Sequence, residues 1–332
     1  MKQSTTSSTQ HKSKILLTIT VIAITLAVTV LSLITGKYPL KLSLILSGDP
    51  IQLKVFTNLR LARTVVGILG GFVLGIAGFT YQTVFRNPLA SPDIIGVSSG
   101  ASAGAAFGIL FLSGTVSVTL SAFAGALIAV VAVLCLCMLD RHKRNDTIVL
   151  TGIAVHSLMQ TALMALKLTA DPEKQLASIE YWIMGSLNGV SLRYGVANII
   201  VALVCVAVLF LLHRQIILLS SDEGEAGMLG VNVTAMRLLI LLTATLCVAC
   251  IISLTGLISF IGLLSPHIAR LLTRNNRLHT MWLCGLFGSI LLCGADILAK
   301  TVASHELPVS IFTSLLGAPF MVYLIFRERR RV

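Results

Sequence analysis

Apolar runs of about 20 residues follow one another along almost the whole of this chain of 332 residues. Hydrophobic residues make up 56% of the sequence and charged residues only 11%, whereas soluble domains carry about 25% charged residues. A run of about 20 apolar residues crosses the hydrocarbon core of a bilayer as a helix. The sequence therefore predicts an all-α, polytopic membrane protein with about ten transmembrane helices. The predicted spans are 15–35, 61–84, 94–112, 115–139, 147–168, 192–213, 236–256, 258–272, 279–298 and 308–326.

Two of the apolar stretches are too long to be single membrane helices. Residues 94–139 are interrupted only at residues 113–115, and one continuous helix of that length would reach about 70 Å. Because the hydrocarbon core is only about 30 Å thick, this stretch must double back at the interruption. The stretch 238–272 has the same problem, and we expect a turn near residues 255–256.

Glycine occupies every fourth position from Gly96 to Gly108, and the same spacing recurs from Gly67 to Gly75. Residues four apart lie near one face of a helix, so each series forms a strip of small residues. Such strips let helix backbones approach closely in lipid. Two interpretations stay open: tight helix packing, or a smooth face that slides during a gating motion.

The distribution of basic residues predicts the orientation. An even number of spans places both termini on one side of the membrane. With the N-terminus in the cytoplasm, most of the 25 lysines and arginines fall in cytoplasmic segments, as the positive-inside rule requires. The apolar run from Ile15 exceeds the core of a signal peptide, so we expect a retained first span. The prediction is one transmembrane domain over 1–332, with a cytoplasmic tail at 1–14 and a cytoplasmic segment at 214–235.

Several classes of function do not fit the sequence. The formal charge of +12 does not indicate a nucleic-acid partner, because the basic residues stand at span ends rather than on one amphipathic face. The seven cysteines lie inside apolar runs, so we expect no disulfide framework and no metal site. Gly96–Gly100 matches the G-x-S-x-G hydrolase pattern but opens a membrane helix without an evident triad partner. His305 and Glu306 lack the second histidine of a zinc-protease motif. We expect a protein that is not an enzyme and holds no cofactor.

ATP hydrolysis is excluded by the route that most transport motors use, since the sequence contains no G-x-x-x-x-G-K-[ST] phosphate loop. One polar stretch, Leu219–Val231, interrupts the apolar pattern and contains three of the 13 acidic residues. It indicates a short helix between two apolar spans, and the predicted orientation places it in the cytoplasm. We expect another protein to grip this helix.

Polar side chains inside spans are costly and are candidates for function. His156 and Gln160 are one helical turn apart in the fifth span. They either line a polar passage or form hydrogen bonds between neighbouring helices, and the sequence does not decide between the two. Asp296 and Lys300 are four residues apart in the ninth span, and the simplest interpretation is a local ion pair.

Arg60 and Arg63 are one turn apart at the outer mouth of the second span, where positive charge opposes the orientation rule. Both side chains can face outward together. They either snorkel to the membrane interface or form a docking site for carboxylates of an external partner, since a guanidinium binds a carboxylate bidentately.

Four ordered blocks resemble one family. The stretch NLRLARTVVGILGGFVLGIAGFTYQTVFRNPLASPDIIGVSSGASAG is the most specific, and it is followed by GLISFIGLLSPHIARLL, GADILAK and ELPVSIFTSLLGAPFMVYLI. They resemble the permease subunits of type II ATP-binding-cassette (ABC) importers, which move ferric siderophores, haem and vitamin B12. The resemblance covers nearly the whole chain, from about Arg60 to Phe326. It implies ten helices with both ends in the cytoplasm, in a bacterial or archaeal cell membrane.

The resemblance also implies partners and roles. A second permease subunit, identical or related, encloses the pathway together with this one. An ATPase dimer binds on the cytoplasmic side, and a binding protein delivers cargo from outside. Lipid surrounds the helices. The sequence departs from the family at three positions. Lys300 stands where the family has an arginine, and a lysine cannot bind a carboxylate through two nitrogens as arginine does. Ala62 replaces a usual proline, and Asp222 replaces a usual glycine. The implied coupling residues are Glu223, Ala226, Leu229 and Gly230; the gate residues are Asn87 and Leu89, with Asn145 and Asp146 near a second gate; the docking residues are Arg60, Arg63 and Lys300.

The alternative function is a secondary transporter driven by protons or sodium. Such transporters place acidic or histidine residues near the middle of the membrane, and His156 is the one candidate in this sequence. For the importer, ferric siderophore is the expected cargo because it is frequent in the family, and haem and cobalamin are the other candidates.

Overall fold

The computed structural model describes residues 2–112, 114–139, 145–220, 233–303 and 305–329. Every regular element within these ranges is helical, which confirms the predicted fold class. Short helices α2, α3, α8 and α10 join the longer ones. The helices are α1 (Lys2–Ile34), α2 (Leu42–Leu46), α3 (Pro50–Val55), α4 (Ala62–Val84), α5 (Val97–Phe111), α6 (Thr115–Leu139), α7 (Asn145–Thr169), α8 (Gln175–Ile183), α9 (Leu192–Leu211), α10 (His213–Leu218), α11 (Val233–Thr255), α12 (Ile261–Thr273), α13 (Leu278–Thr301) and α14 (Val309–Arg329).

Six helical segments in the described part of the chain are long and apolar enough to cross a membrane. Three further apolar helices are shorter than a full span, and α12 has only 13 residues. The structure thus supports a multi-pass membrane protein, while the count of ten spans stays a prediction. The six segments are Lys14–Ile34, Pro50–Val84, Thr115–Cys137, Val149–Thr169, Val233–Thr255 and Leu278–Thr301.

Both predicted turns are present. Helix α5 ends at Phe111 and α6 begins at Thr115, with Gly114 between them at a φ of +96°. Helix α11 ends at Thr255, and Gly256 then takes a φ of +70°, a left-handed conformation that a residue without Cβ adopts at little cost. The chain changes direction where glycine permits it, because a longer helix would leave the hydrocarbon core.

The glycine series lie where helices pack most closely. Helix α5 packs against α6, and a Cβ added at Gly100 would come within 2.5 Å of the Gly125 carbonyl oxygen. Helix α4 packs in the same way against α13, where a Cβ at Gly71 would lie 2.7 Å from the Gly288 carbonyl carbon. These contacts confirm the close-packing interpretation, since any larger residue would push the backbones apart.

Helix α4 forms the centre of the bundle. It contacts α13, α12 and α11, and most of its residues are buried. By contrast, only 11% of the α1 span and 17% of the α7 span are buried. These two helices therefore present apolar faces that the chain itself does not cover. Helix α4 positions polar groups at its two ends, Arg63 in its first turn and Gln82 in its last.

Candidate functional site

Four ionisable side chains meet where α4 begins and α13 ends. Arg63 Nε donates to Asp296 Oδ1 at 2.8 Å, and Arg63 Nη1 donates to Glu306 Oε2 at 2.7 Å. Lys300 Nζ lies 2.7 Å from the other oxygen of Asp296, Oδ2. We call Arg63, Asp296, Lys300 and Glu306 the charged cluster. The pairing of Asp296 with Lys300 confirms the predicted local ion pair.

The charged cluster is deeply buried except at one corner. Asp296 is 1% exposed, Lys300 5% and Arg63 7%, whereas the side chain of Glu306 is 25% exposed. Two cations face two anions, so the charges balance within the cluster. Balance matters here because removing one partner of a buried ion pair costs about 3–5 kcal/mol, mostly through the charge left without a partner.

Arg63 is not fully satisfied by these partners. Its Nη2 atom is buried and has no hydrogen-bond partner, although Nε and Nη1 are both bonded. Glu306 thus holds one of the two nitrogens at the end of the guanidinium, where a carboxylate in a bidentate arrangement would hold both.

Arg60 turns away from this cluster toward the end of α1. Its Nη1 donates to the carbonyls of Leu33, at 3.0 Å, and Ile34, and its Nη2 donates to the carbonyl of Tyr38 at 2.5 Å. The carbonyls of Leu33 and Ile34 have no intrahelical donor, so Arg60 caps the C-terminus of α1 and also holds the chain that follows it at Tyr38. The segment Phe56–Leu61 is a π-helix, which changes the register just before α4.

The expectation that Arg60 and Arg63 face outward side by side is therefore wrong for this structure. Both are buried, at 5% and 7% exposed, because each finds internal acceptors in a different direction. Their docking role stays a prediction. A cavity of about 190 Å³ lies beside them, lined by Arg60, Arg63, Lys300 and Glu306 together with Tyr38 and residues 187–190.

Glu306 is the member of the cluster that sequence reasoning missed. In the sequence, Glu306 was considered only with His305, as part of a zinc-protease motif that lacks its second histidine. It follows the GADILAK block by a few residues, so its closeness to Lys300 along the chain was the available signal. Its pairing with Arg63 joins residues 243 positions apart, which no local pattern reveals.

The opposite end of α4 carries a different arginine site. Arg270 of α12 donates from Nε to Asn276 Oδ1 at 2.7 Å, from Nη2 to Thr83 Oγ1 at 3.2 Å, and from Nη1 to Gln82 Oε1. Its guanidinium also lies 5.3 Å from the centre of the Phe79 ring. We call these residues the Arg270 network. All its hydrogen-bond acceptors are neutral, so the network solvates the arginine without neutralising it.

The predicted gate residues lie beyond the same end of α4. Asn87 and Leu89 are exposed in the loop after α4, and Asn87 Oδ1 accepts a hydrogen bond from the Leu89 backbone N–H at 2.9 Å. The Arg86 side chain of this loop donates to the Leu219 carbonyl at 3.4 Å, next to the end of α10. Asn145 and Asp146 form the first turn of α7, but their side chains are not described.

The predicted coupling residues lie outside the described residues. Glu223, Ala226, Leu229 and Gly230 fall within 221–232, between α10 and α11. The last described residues before this segment include Leu219, whose carbonyl accepts a hydrogen bond from Arg86 of the predicted gate loop at 3.4 Å.

His156 and Gln160 lie on α7 and are both half-buried. His156 Nδ1 is buried without a hydrogen-bond partner, and the His156 backbone passes Gly96 so closely that a Cβ there would lie 3.3 Å from the His156 nitrogen. This contact is a packing contact with the start of α5. The structure does not bring a second ionisable side chain to His156 in any described contact, and both interpretations of this pair stay predictions.

A second cavity, of about 670 Å³, lies between α8, the start of α9, the end of α11, the end of α5 and the start of α6. Its lining contains hydroxyl, amide and aromatic side chains and no Asp, Glu, Lys, Arg or His among the described residues. The backbone around it is fixed by hydrogen bonds between helix junctions: Ser186 N–H to the Thr255 carbonyl at 2.7 Å and Val309 N–H to the Gly185 carbonyl at 3.0 Å. Across the described ranges, no three His, Cys, Asp or Glu side chains are grouped to hold a metal ion.

Comparison with known proteins gives one consistent result. The profile of the FecCD transport family matches residues 24–327. The chain is 35% identical to a probable iron chelatin transport system permease of Helicobacter pylori, over 83% of each protein. It is 38% identical to the cobalamin import system permease BtuC of Halobacterium salinarum, over 82% of this chain and 73% of that protein.

One solved structure extends the similarity to the whole architecture. An inward-facing conformation of a metal-chelate type ABC transporter superposes with a TM-score of 0.84 at 29% identity, covering 93% of this chain and 98% of that one.

Proposed function

The chain belongs to the FecCD transport family, and from this membership we propose that it moves a ferric siderophore into the cytoplasm. It is a permease subunit of an ABC transporter and not an enzyme, and ATP hydrolysis belongs to a separate subunit. The observation that carries the assignment is the match over nearly the whole chain to a metal-chelate type transporter. Nothing in these comparisons favours an ion-coupled secondary transporter.

The cargo is proposed from the relatives' names. They include iron chelatin, achromobactin, haemin and cobalamin systems, and also a molybdate system from Haemophilus influenzae. Most of these cargoes are bulky metal chelates, and the second cavity has the neutral, hydroxyl-rich lining that suits contact with such a molecule. Haem and cobalamin are the competing candidates.

Uptake by the reconstituted transporter tests the cargo. Proteoliposomes containing the permease and its ATPase, supplied with the binding protein, should accumulate a ⁵⁵Fe-labelled siderophore in the presence of ATP. Labelled haem and cyanocobalamin serve as the parallel substrates. Accumulation of either one in place of the siderophore would reassign the cargo, and siderophore accumulation without ATP would contradict an ABC mechanism.

We also propose ten membrane crossings with both termini on the cytoplasmic side. Contacts between chain ends support alternating directions. Arg60 joins the end of α1 to the segment before α4. Thr18 Oγ1 lies 2.7 Å from His279 Nε2, which joins the start of the apolar span of α1 to the start of α13. The excess of basic residues on the proposed cytoplasmic side supports the orientation.

In this arrangement the two ends of the molecule have different partners. The segment with Glu223, Ala226, Leu229 and Gly230 engages the ATPase, and the attachment of Leu219 to Arg86 supports transmission of its movement to the Asn87–Leu89 loop. Asn145 and Asp146, at the start of α7, contribute to the second gate. The exposed apolar faces of α1 and α7 contact lipid and a second permease subunit.

The end of the molecule that contains the charged cluster, which we call the charged end, receives the extracytoplasmic binding protein. Arg60, Arg63 and Lys300 line one cavity and, with Lys37, supply its positive charge. Acidic side chains on the binding protein are the complementary partner, because charged pairs between proteins set orientation and speed association. The internal partners of these residues mean that docking requires a rearrangement.

A further inference from the structure

Glu306 occupies a position that an external carboxylate would also fit. It makes one hydrogen bond to Arg63 Nη1, and the neighbouring Nη2 is buried without a partner. A buried polar group without a hydrogen bond destabilises the fold, and more so when it is charged. The present arrangement is therefore not the best one available to Arg63, since a carboxylate that spans both nitrogens would satisfy it better.

The two acids of the charged cluster differ in how firmly they are held. Asp296 uses both of its oxygens, one on Arg63 and one on Lys300, and is 1% exposed. Glu306 makes one ion pair and its side chain is 25% exposed. It belongs to the connection between α13 and α14, whose described residues form no regular helix. Glu306 is thus the member that can leave while Asp296 continues to orient Arg63.

Departure of Glu306 would disturb little else. The start of α14 stays anchored by the Val309 N–H bond to the Gly185 carbonyl and by the Ser310 Oγ bond to the Leu257 carbonyl at 2.6 Å. The basic residues that line the cavity beside the cluster would then be Lys37, Arg60, Arg63 and Lys300. Asp296 would be the remaining acid of the charged cluster, so the cavity would carry excess positive charge.

We propose that Glu306 occupies the position on Arg63 that a carboxylate of the binding protein takes during docking. Docking then replaces the Glu306 carboxylate on Arg63 with the carboxylate of the binding protein. The inference rests on the proposed docking function of the charged end. Exchange keeps the buried guanidinium paired in both states, so neither state leaves a bare charge in a low-dielectric site. It also makes Glu306 a competitor, which sets the docking affinity below what the three basic residues would otherwise give.

The direction in which one substitution changes the affinity for the binding protein tests this proposal directly. Glu306→Gln removes the competing charge and keeps the shape, so the assembled transporter in nanodiscs should bind the binding protein that supports its uptake more tightly. We expect about three- to fivefold, the size of a partly exposed ion pair. Surface plasmon resonance at fixed ionic strength measures it. Glu306→Ala, which also removes the charge, should shift affinity in the same direction.

Two further variants separate the possible failures. Glu173→Gln removes an exposed acid from the connection before α8 and should leave the affinity unchanged, which excludes a general effect of surface charge. Arg63→Lys keeps the charge but loses the fork, and should weaken binding. If Arg63→Lys weakens binding while Glu306→Gln and Glu306→Ala leave it equal or weaker, the exchange is wrong and the docking site stands. If Arg63→Lys has no effect, the docking site itself is wrong.

Discussion

The two ends of α4 each hold a buried or half-buried arginine, and the partners of the two arginines differ in charge. Arg63 pairs with the carboxylates of Asp296 and Glu306. Arg270 bonds to the amide and hydroxyl oxygens of Asn276, Thr83 and Gln82. An ionic partner can be replaced by another carboxylate of the same chemistry, whereas a set of neutral dipoles holds its cation in one geometry.

The difference suggests how one rigid helix serves two tasks. The charged cluster is suited to an exchange of ionic partners, because the charges stay balanced when one carboxylate replaces another. The Arg270 network is suited to holding α4 and α12 together, because Arg270 belongs to α12 and its neutral acceptors belong to α4 and to the turn that follows α12. We propose that capture of the binding protein belongs to the first end, and that connection to the ATPase belongs to the second.

The largest expected effect separates the two tasks. Deleting 226–230 should abolish ATP-driven uptake, because the ATPase then has no coupling segment to move. Capture of the binding protein at the charged end should be unchanged. Uptake in proteoliposomes and binding by surface plasmon resonance measure the two quantities, and membrane insertion of the variant is the control. Normal uptake by the deletion variant would contradict the division of the molecule into two ends.

The next effect tests the ionic character of the charged cluster. Asp296→Asn should destabilise the protein by about 3–5 kcal/mol, because Arg63 and Lys300 lose the buried carboxylate that they share. Thermal unfolding in detergent, followed by circular dichroism, measures the change. Glu180→Gln is the matched control: its pair with Lys167 is half-exposed, with Glu180 at 44%, and exposed pairs contribute at most about 1 kcal/mol. Equal losses in the two variants would show that burial does not strengthen the cluster.

The smallest effect tests the Arg270 network. Gln82→Leu should cost about 1–3 kcal/mol, because it leaves one donor of Arg270 without its acceptor and removes the bond from Gln82 Nε2 to the Leu263 carbonyl at 3.1 Å. The loss stays below that of Asp296→Asn because Arg270 keeps Asn276 and Thr83 as acceptors. The same unfolding assay applies. Thr83→Val removes the longest of these bonds and should cost less than Gln82→Leu; a cost equal to that of Asp296→Asn in either variant would erase the distinction between the two arginine sites.

Much of the fold followed from local rules. The predicted turn positions after Leu112 and Thr255 were confirmed because they depend only on helix length, membrane thickness and the freedom of glycine. The close packing of the glycine series was confirmed for the same reason, since spacing along a helix fixes which residues share a face. The ion pair of Asp296 and Lys300 is also local, being one turn long.

The sites followed from the sequence less completely. Sequence placed Arg60 and Arg63 together on an outward face, but the structure sends one to the carbonyls that end α1 and the other to α13. Sequence also gave Glu306 no role. A helix period tells which residues are neighbours on one helix, but it does not tell which helix stands opposite them.

By itself, the sequence determined that this chain is a helical, multi-pass membrane protein without a phosphate-loop motif, because hydrocarbon thickness, backbone hydrogen bonding and motif content act on short stretches of chain. The permease assignment came from the resemblance of four sequence blocks to one family. Only the tertiary structure decided which charged side chains are buried and which residues are their partners. Arg63 meets Glu306 across 243 positions, and Arg270 meets Gln82 across 188. Such pairs exist only after α4, α12 and α13 have packed, since the free energy of a buried charge depends on the partners that the assembled helices bring to it.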